Sequence, residues 1–138
     1  VSTNTPVPVP TNTPVPVMTN TPVPLAVELL YFVSSRREQT VVLRWATAEE
    51  VDNFGFNLYR ASVDNFWKAE LIHFEPSAIE GGTGAGAIYQ HVDTPPAPGL
   101  WWYWLVDVDT RGIQASHSPS VVMAMPMYVQ LYLPWTEQ

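Results

Sequence analysis

No cysteine occurs in the 138 residues. Disulfides, thiol nucleophiles and cysteine-held zinc are therefore excluded, and stability must come from packing. Charge is scarce too. Asp, Glu, Lys and Arg make up 14% of the chain, where about a quarter is usual for a globular domain. So little polar surface predicts that more than one face is covered. The net charge is −7 and the basic residues do not cluster beyond Arg36–Arg37, which argues against nucleic acid as a partner. No run is long and apolar enough to span a bilayer. No asparagine stands in an N-x-S/T acceptor, whereas threonines beside prolines suit O-glycosylation. The first residue is Val1, which fits a mature form after signal removal or a part of something longer.

What the chain does have begins at its start. Pro6, Pro8, Pro10, Pro14, Pro16, Pro22 and Pro24 all occupy even positions, and T-N-T-P-V-P-V restarts at Thr3, Thr11 and Thr19, with Leu25 closing the third unit. Proline fixes φ and pushes its predecessor toward extended conformations, so residues 1–25 cannot form a helix. They read as an extended arm, either polyproline II or a β-like ribbon. In a ribbon, alternate prolines strip donors from one edge only, leaving the odd residues free to pair on the other. Val7, Val9, Val15, Val17, Val23 and Leu25 then form an apolar row suited to self-association. A flexible linker or stalk is the other reading of such a repeat.

From residue 26 the texture changes to short aromatic and β-branched runs separated by turn signals. Expected strands are Val27–Ser34, Thr40–Ala46, Phe54–Ala61, Trp67–Phe74, Ala87–Val92, Leu100–Asp109 and Ala115–Ala124. Thr47–Val51 is expected as a turn, with Thr47 and Glu50 at capping-box spacing. Gly81–Gly86 reads as a flexible turn. Seven strands without a helical period predict an antiparallel β-sandwich over residues 26–125. An amphipathic strand, Met127–Leu133, follows in the tail 126–138. Its odd residues include Val129, Leu131 and Leu133, and it is expected either to extend its own sheet or to be donated to a neighbour's edge.

The stretch L-R-W-A-T-A-E-E-V-D-N-F-G-F-N-L-Y-R-A, Leu43–Ala61, resembles fibronectin type III-like domains of bacterial secreted and surface proteins. So do W-W-Y-W-L-V-D-V-D-T-R-G, Trp101–Gly112, and the closing S-P-S-V-V-M. Thr/Pro repeats of the T-N-T-P kind often flank such domains. The resemblance covers roughly residues 27–124. It implies an immunoglobulin-like, all-β sandwich, export, and a structural or accessory role, and it brings no catalytic residues. Trp45 is the expected buried tryptophan, with Phe56 and Leu58 facing it. Trp101 stands where such domains carry a tyrosine that bonds back to the preceding loop, so a tyrosine corner is not expected.

The strand from Leu100 is apolar on both faces, which predicts burial on both. With Trp101, Tyr103 and Leu105 inward, Trp102 and Trp104 stand outward as an apolar patch, expected to be covered either by the Met127–Leu133 strand or the chain's own tail, or by another subunit. Motifs with chemical content are weak. Asp107 and Asp109 before Gly112 lack a complete calcium-loop pattern and read as turn carboxylates. Glu49, Glu50 and Asp52 read as a solvated loop or a weak surface calcium site. His73, His91 and His117 have no metal-ligand spacing. Adjacent Ser116, His117 and Ser118 do not make a triad. No metal, cofactor or catalytic residue is assigned.

The expected function is that of an extracellular structural subunit which assembles with copies of itself into a filament, bridged by the arm and the Met127–Leu133 strand. At about 3.1 Å per residue the arm would reach roughly 75 Å. The alternatives are a stalked binding or adhesion module, with Trp67, Trp102 and Trp104 stacking on sugars, and a spacer in a larger secreted protein.

Overall fold

Trp45, Phe56, Leu58, Tyr103 and Leu105 occupy alternate positions of three aromatic-rich segments, and all five are fully buried. Period-two burial of this kind makes strands with one face against a core. The computed structural model describes residues 2–11 and 26–124. Its strands are β1 (Val27–Arg37), β2 (Thr40–Glu50), β3 (Asn53–Ala61), β4 (Glu70–Pro76), β5 (Gly84–Ala85), β6 (Ile88–Asp93), β7 (Gly99–Asp109), β8 (Gln114–Ser116) and β9 (Ser120–Ala124).

Two antiparallel sheets result. In the first, β2 lies between β1 on one side and β5 and β6 on the other. In the second, the order is β4-β3-β7, with β8 and β9 sharing the far edge of β7. This is the immunoglobulin-like, fibronectin type III-like sandwich expected from the sequence. Trp45 is its centre. The indole stacks on Tyr89 at 5.3 Å and meets Phe56 edge-on at 5.7 Å, geometries that add about 1 kcal/mol each beyond area burial.

Four local expectations are corrected. β2 does not turn at Thr47. It runs on to Glu50, paired with β1 and β5, and the reversal falls at Asp52, which takes a positive φ of 49°. The expected strand Trp67–Phe74 starts three residues late, because Phe66–Lys68 form a 3-10 turn. Asn65 makes that turn: its side-chain oxygen accepts the Trp67 N–H at 3.0 Å, a local bond that competes with strand pairing. The final strand is split into β8 and β9 across Pro119, which lacks the N–H that a continuous ladder requires.

The fourth concerns Gly81–Gly86, where Gly82 and Gly86 are close-packed while Gly81 is open. A Cβ on Gly82 would lie 2.3 Å from the Asn53 carbonyl oxygen, and one on Gly86 would lie 1.7 Å from that of Thr47. Glycine is present there because the backbone approaches β2 and β3 too closely for a side chain.

Residues 2–11 carry no hydrogen-bonded secondary structure, and Val7 and Val9 are 86% and 85% exposed. Val15, Val17, Val23, Leu25, Val129, Leu131 and Leu133, with the rest of the expected Met127–Leu133 strand, lie outside the described residues.

Candidate interaction surfaces

Direct cross-strand partners share a face, so register defines the outer surface of the second sheet. Leu71, Tyr59 and Trp104 form one row, Ala61, Trp102 and Val121 the next, and Leu100 with Met123 a third. The cover expected over Trp102 and Trp104 comes, for Trp104, from a segment not anticipated. Trp104 is only 4% exposed, because the 3-10 turn before β4 folds Phe66 over it. Phe66 sits edge-on to Trp104 at 5.9 Å and to Tyr59 at 5.0 Å. Trp102 stays half-buried. The same turn thrusts Trp67 into solvent at 92% exposure. On the outer face of the same sheet, Leu71, Leu100, Val121 and Met123 are exposed.

The outer face of the first sheet is apolar only in part, since Arg44 and Gln90 share a row with Val33. Tyr31, Ala46 and Ile88 are aligned across it, with Val33 and Val92 nearby, and of these only Ala46 is buried. The outer face of the second sheet is not the polar surface expected of a lone sandwich.

Between the sheets lie polar groups that hold the surfaces in place. Glu50 is fully buried. Its carboxylate accepts from Thr47 at 2.9 Å, Asn53 at 2.8 Å, Ser77 at 2.5 Å and the Tyr89 hydroxyl at 2.6 Å. Burial alone would raise its pKa, yet the four hydrogen bonds outweigh burial and hold it below the usual carboxylate value. The loop reading of Glu49, Glu50 and Asp52 is therefore corrected for Glu50. The T-x-x-E-x-x-N spacing of Thr47, Glu50 and Asn53 was the available signal; Ser77 and Tyr89 arrive from distant segments.

At the other end, Asp93 on β6 joins the sheets. It accepts two bonds from Arg60 at 2.9 and 3.0 Å and one from the Tyr103 hydroxyl at 2.8 Å. Arg60 also pairs with Glu70 and lies 5.3 Å from the Trp101 ring centroid. Burial and the Asp93 carboxylate push the Tyr103 phenol well above its ordinary value, which keeps it a donor. The Trp101 indole N–H donates to the Ala97 carbonyl at 2.8 Å, performing the loop-tethering bond that a corner tyrosine makes in related sandwiches.

The histidines, scattered in sequence, all find partners. His73 and His91 stack across the two sheets with centroids 3.9 Å apart, and His117 bonds Asp107 at 2.6 Å. Asp109 accepts the backbone N–H groups of Arg111 and Ile113, as a turn carboxylate does. Among the described residues, no group of three or more His, Asp or Glu stands where it could hold a metal ion. Among the same residues, no helix is long and apolar enough to cross a membrane.

No family model matches the chain and no curated protein matches it. Solved structures do. A pectate lyase from Pectobacterium carotovorum superposes with a TM-score of 0.54 at 14% identity, covering 66% of this chain and 26% of that one. A second crystal structure of the same enzyme gives 0.52 at 14% identity, covering 71% and 27%. This chain thus spans about a quarter of the lyase's length. An Fn3-like protein from Clostridium thermocellum gives 0.46 at 17% identity, covering 70% of this chain and 92% of that one. At these identities the likeness concerns the fold.

Proposed function

We propose that this chain is a non-catalytic structural module of the cell surface or extracellular space, which assembles with copies of itself into a filament. One observation carries the reading: the outer face of the second sheet is apolar, with Leu71, Leu100, Val121 and Met123 exposed on it. Such patches mark interaction sites on otherwise soluble domains. The low charge fraction supports it, since a surface poor in charge suits contact with protein. In this reading the arm 1–25, through Val7, Val9 and their repeats, and the Met127–Leu133 strand bridge neighbouring subunits. Threonines of the repeat are the positions for O-glycans.

Electron microscopy of the intact chain beside a variant lacking residues 1–24 tests this. The expected result is filaments from the first and dispersed particles from the second. Monomers from both would overturn the filament and leave a stalked module or a spacer.

Trp67 favours a second reading. A planar ring open on both sides, held on a 3-10 turn, is suited to stacking on a sugar. Quenching of tryptophan fluorescence by soluble polysaccharides, lost in Trp67→Ala, would favour a binding module.

A further inference from the structure

The β1–β2 hairpin carries Arg36 and Arg37 at its tip, and Arg44 follows on the outward side of β2. Together they are half of the chain's six basic residues, and they line one open pocket of about 410 Å³. Thr40 adds a hydroxyl, Val92 an apolar wall, and Glu38 is the one carboxylate of the lining. Arg44 is oriented by its Nε–H donating to Gln90 at 3.1 Å. Among the described residues, the ion pairs involve Arg60, Arg111, His73 and His117. Among those residues no carboxylate pairs with the three pocket arginines, which leaves them available to an anion.

The opposite end of the same sheet has the reverse character. Glu28 pairs in register with Glu49, and Asp52 follows at the β2–β3 turn, tied to the loop that carries Glu80 by its N–H donating to Thr83 at 2.8 Å. All four carboxylates are exposed. The nearby cation Arg111 is engaged by Asp109 at 2.7 Å. Since β2 runs from Thr40 to Glu49 at ~3.3 Å per residue, the two charge groups lie roughly 30 Å apart.

We infer that the arginine pocket receives the exposed carboxylates of a second copy's β2–β3 end. Guanidinium groups bind carboxylates bidentately, which gives direction as well as attraction. A second copy is the occupant that fits, because each molecule carries both the receptor and, at its far end, the matching acidic group. Contact between unlike ends is heterologous and propagates along an open line when its rotation does not close. The inference rests on the self-association reading above and adds which surfaces meet and by what force.

The test is a charge reversal of each end in the full chain, read by sedimentation velocity at low and high salt. One variant is Arg36→Glu/Arg37→Glu; the other is Glu49→Lys/Asp52→Lys. Each alone is expected to associate roughly a hundredfold more weakly or worse, because like charges then face each other. Their equimolar mixture is expected to assemble, because each variant's ends complement the other's. Assembly of the wild type should weaken as salt rises.

Assembly of the mixture also shows that both variants fold. If it stays dispersed, Arg36→Gln/Arg37→Gln, with an unchanged melting curve, supplies the decision: wild-type association there overturns the inference. Either reversal associating as the wild type does, with circular dichroism unchanged, overturns the inference while leaving self-association in place. A wild type that is monomeric throughout overturns both. Monomers whose Arg36–Arg44 amide resonances move with added glutarate would give the pocket to a free carboxylate and overturn the second copy as its occupant.

Discussion

Glu50 shows what one residue can hold together. It draws Thr47, Asn53, Ser77 and Tyr89 onto one buried carboxylate. Glu50→Gln replaces one acceptor oxygen by a donor and leaves buried donors unpaired, so a loss of about 3 kcal/mol is expected in urea denaturation at neutral pH. The folded pKa lies below the ordinary 4.5. The stabilisation is therefore complete above that value and is lost as pH falls through the lower folded value. The variant should lack this acid-dependent loss. Gly86→Ala tests close approach instead. With its Cβ 1.7 Å from the Thr47 oxygen, β2 must shift, at a cost of about 2–3 kcal/mol. Neither role was legible from composition: an E-E-V-D-N stretch looks like solvated loop, and glycine clusters look flexible. Only the partners from distant segments make them structural.

Elements were more legible than their ends. The cores of β2, β3 and β7 follow from alternation around Trp45, Phe56 and Leu105, whereas boundaries hinged on single polar groups. Asn65 moved the start of β4, and Pro119 split the last strand. Side-chain pairing between elements was not legible at all. His73 on β4 and His91 on β6 are 18 residues apart in the chain, yet they stack across the sheets. Burial first, then repulsion from His73, holds His91 below its ordinary 6.5, partly offset by Asp93 and Glu75. The unfolded chain takes up a proton that the folded one resists, so stability is complete above 6.5 and declines as pH falls below it. His91→Gln should flatten that decline in thermal melts between about pH 7 and pH 5. The Trp101 tether gives a second check. Trp101→Phe keeps most of the ring but loses the bond to Ala97, and should cost about 1 kcal/mol.

At the scale of the whole molecule, register placed the exposed apolar side chains on the outer face of the second sheet. The strand Leu100–Asp109 was rightly read as apolar on both sides, but its cover comes from Phe66, a residue outside any strand. That displaced the open surface from Trp104 to Trp67 and the β7–β9 edge. This distinction yields the last prediction. Val121→Lys/Met123→Lys changes two exposed side chains that pack against no core residue, so the melting temperature should stay within a few degrees of the wild type, as for ordinary surface substitutions. If the outer face of the second sheet is where copies meet, the same variant must self-associate at least tenfold more weakly in concentration-dependent light scattering, because a lysine in an apolar contact is desolvated without a partner. Unchanged scattering with an unchanged melt would remove this face from the assembly. The charged ends, the arm and the Met127–Leu133 strand would then be left to join one subunit to the next.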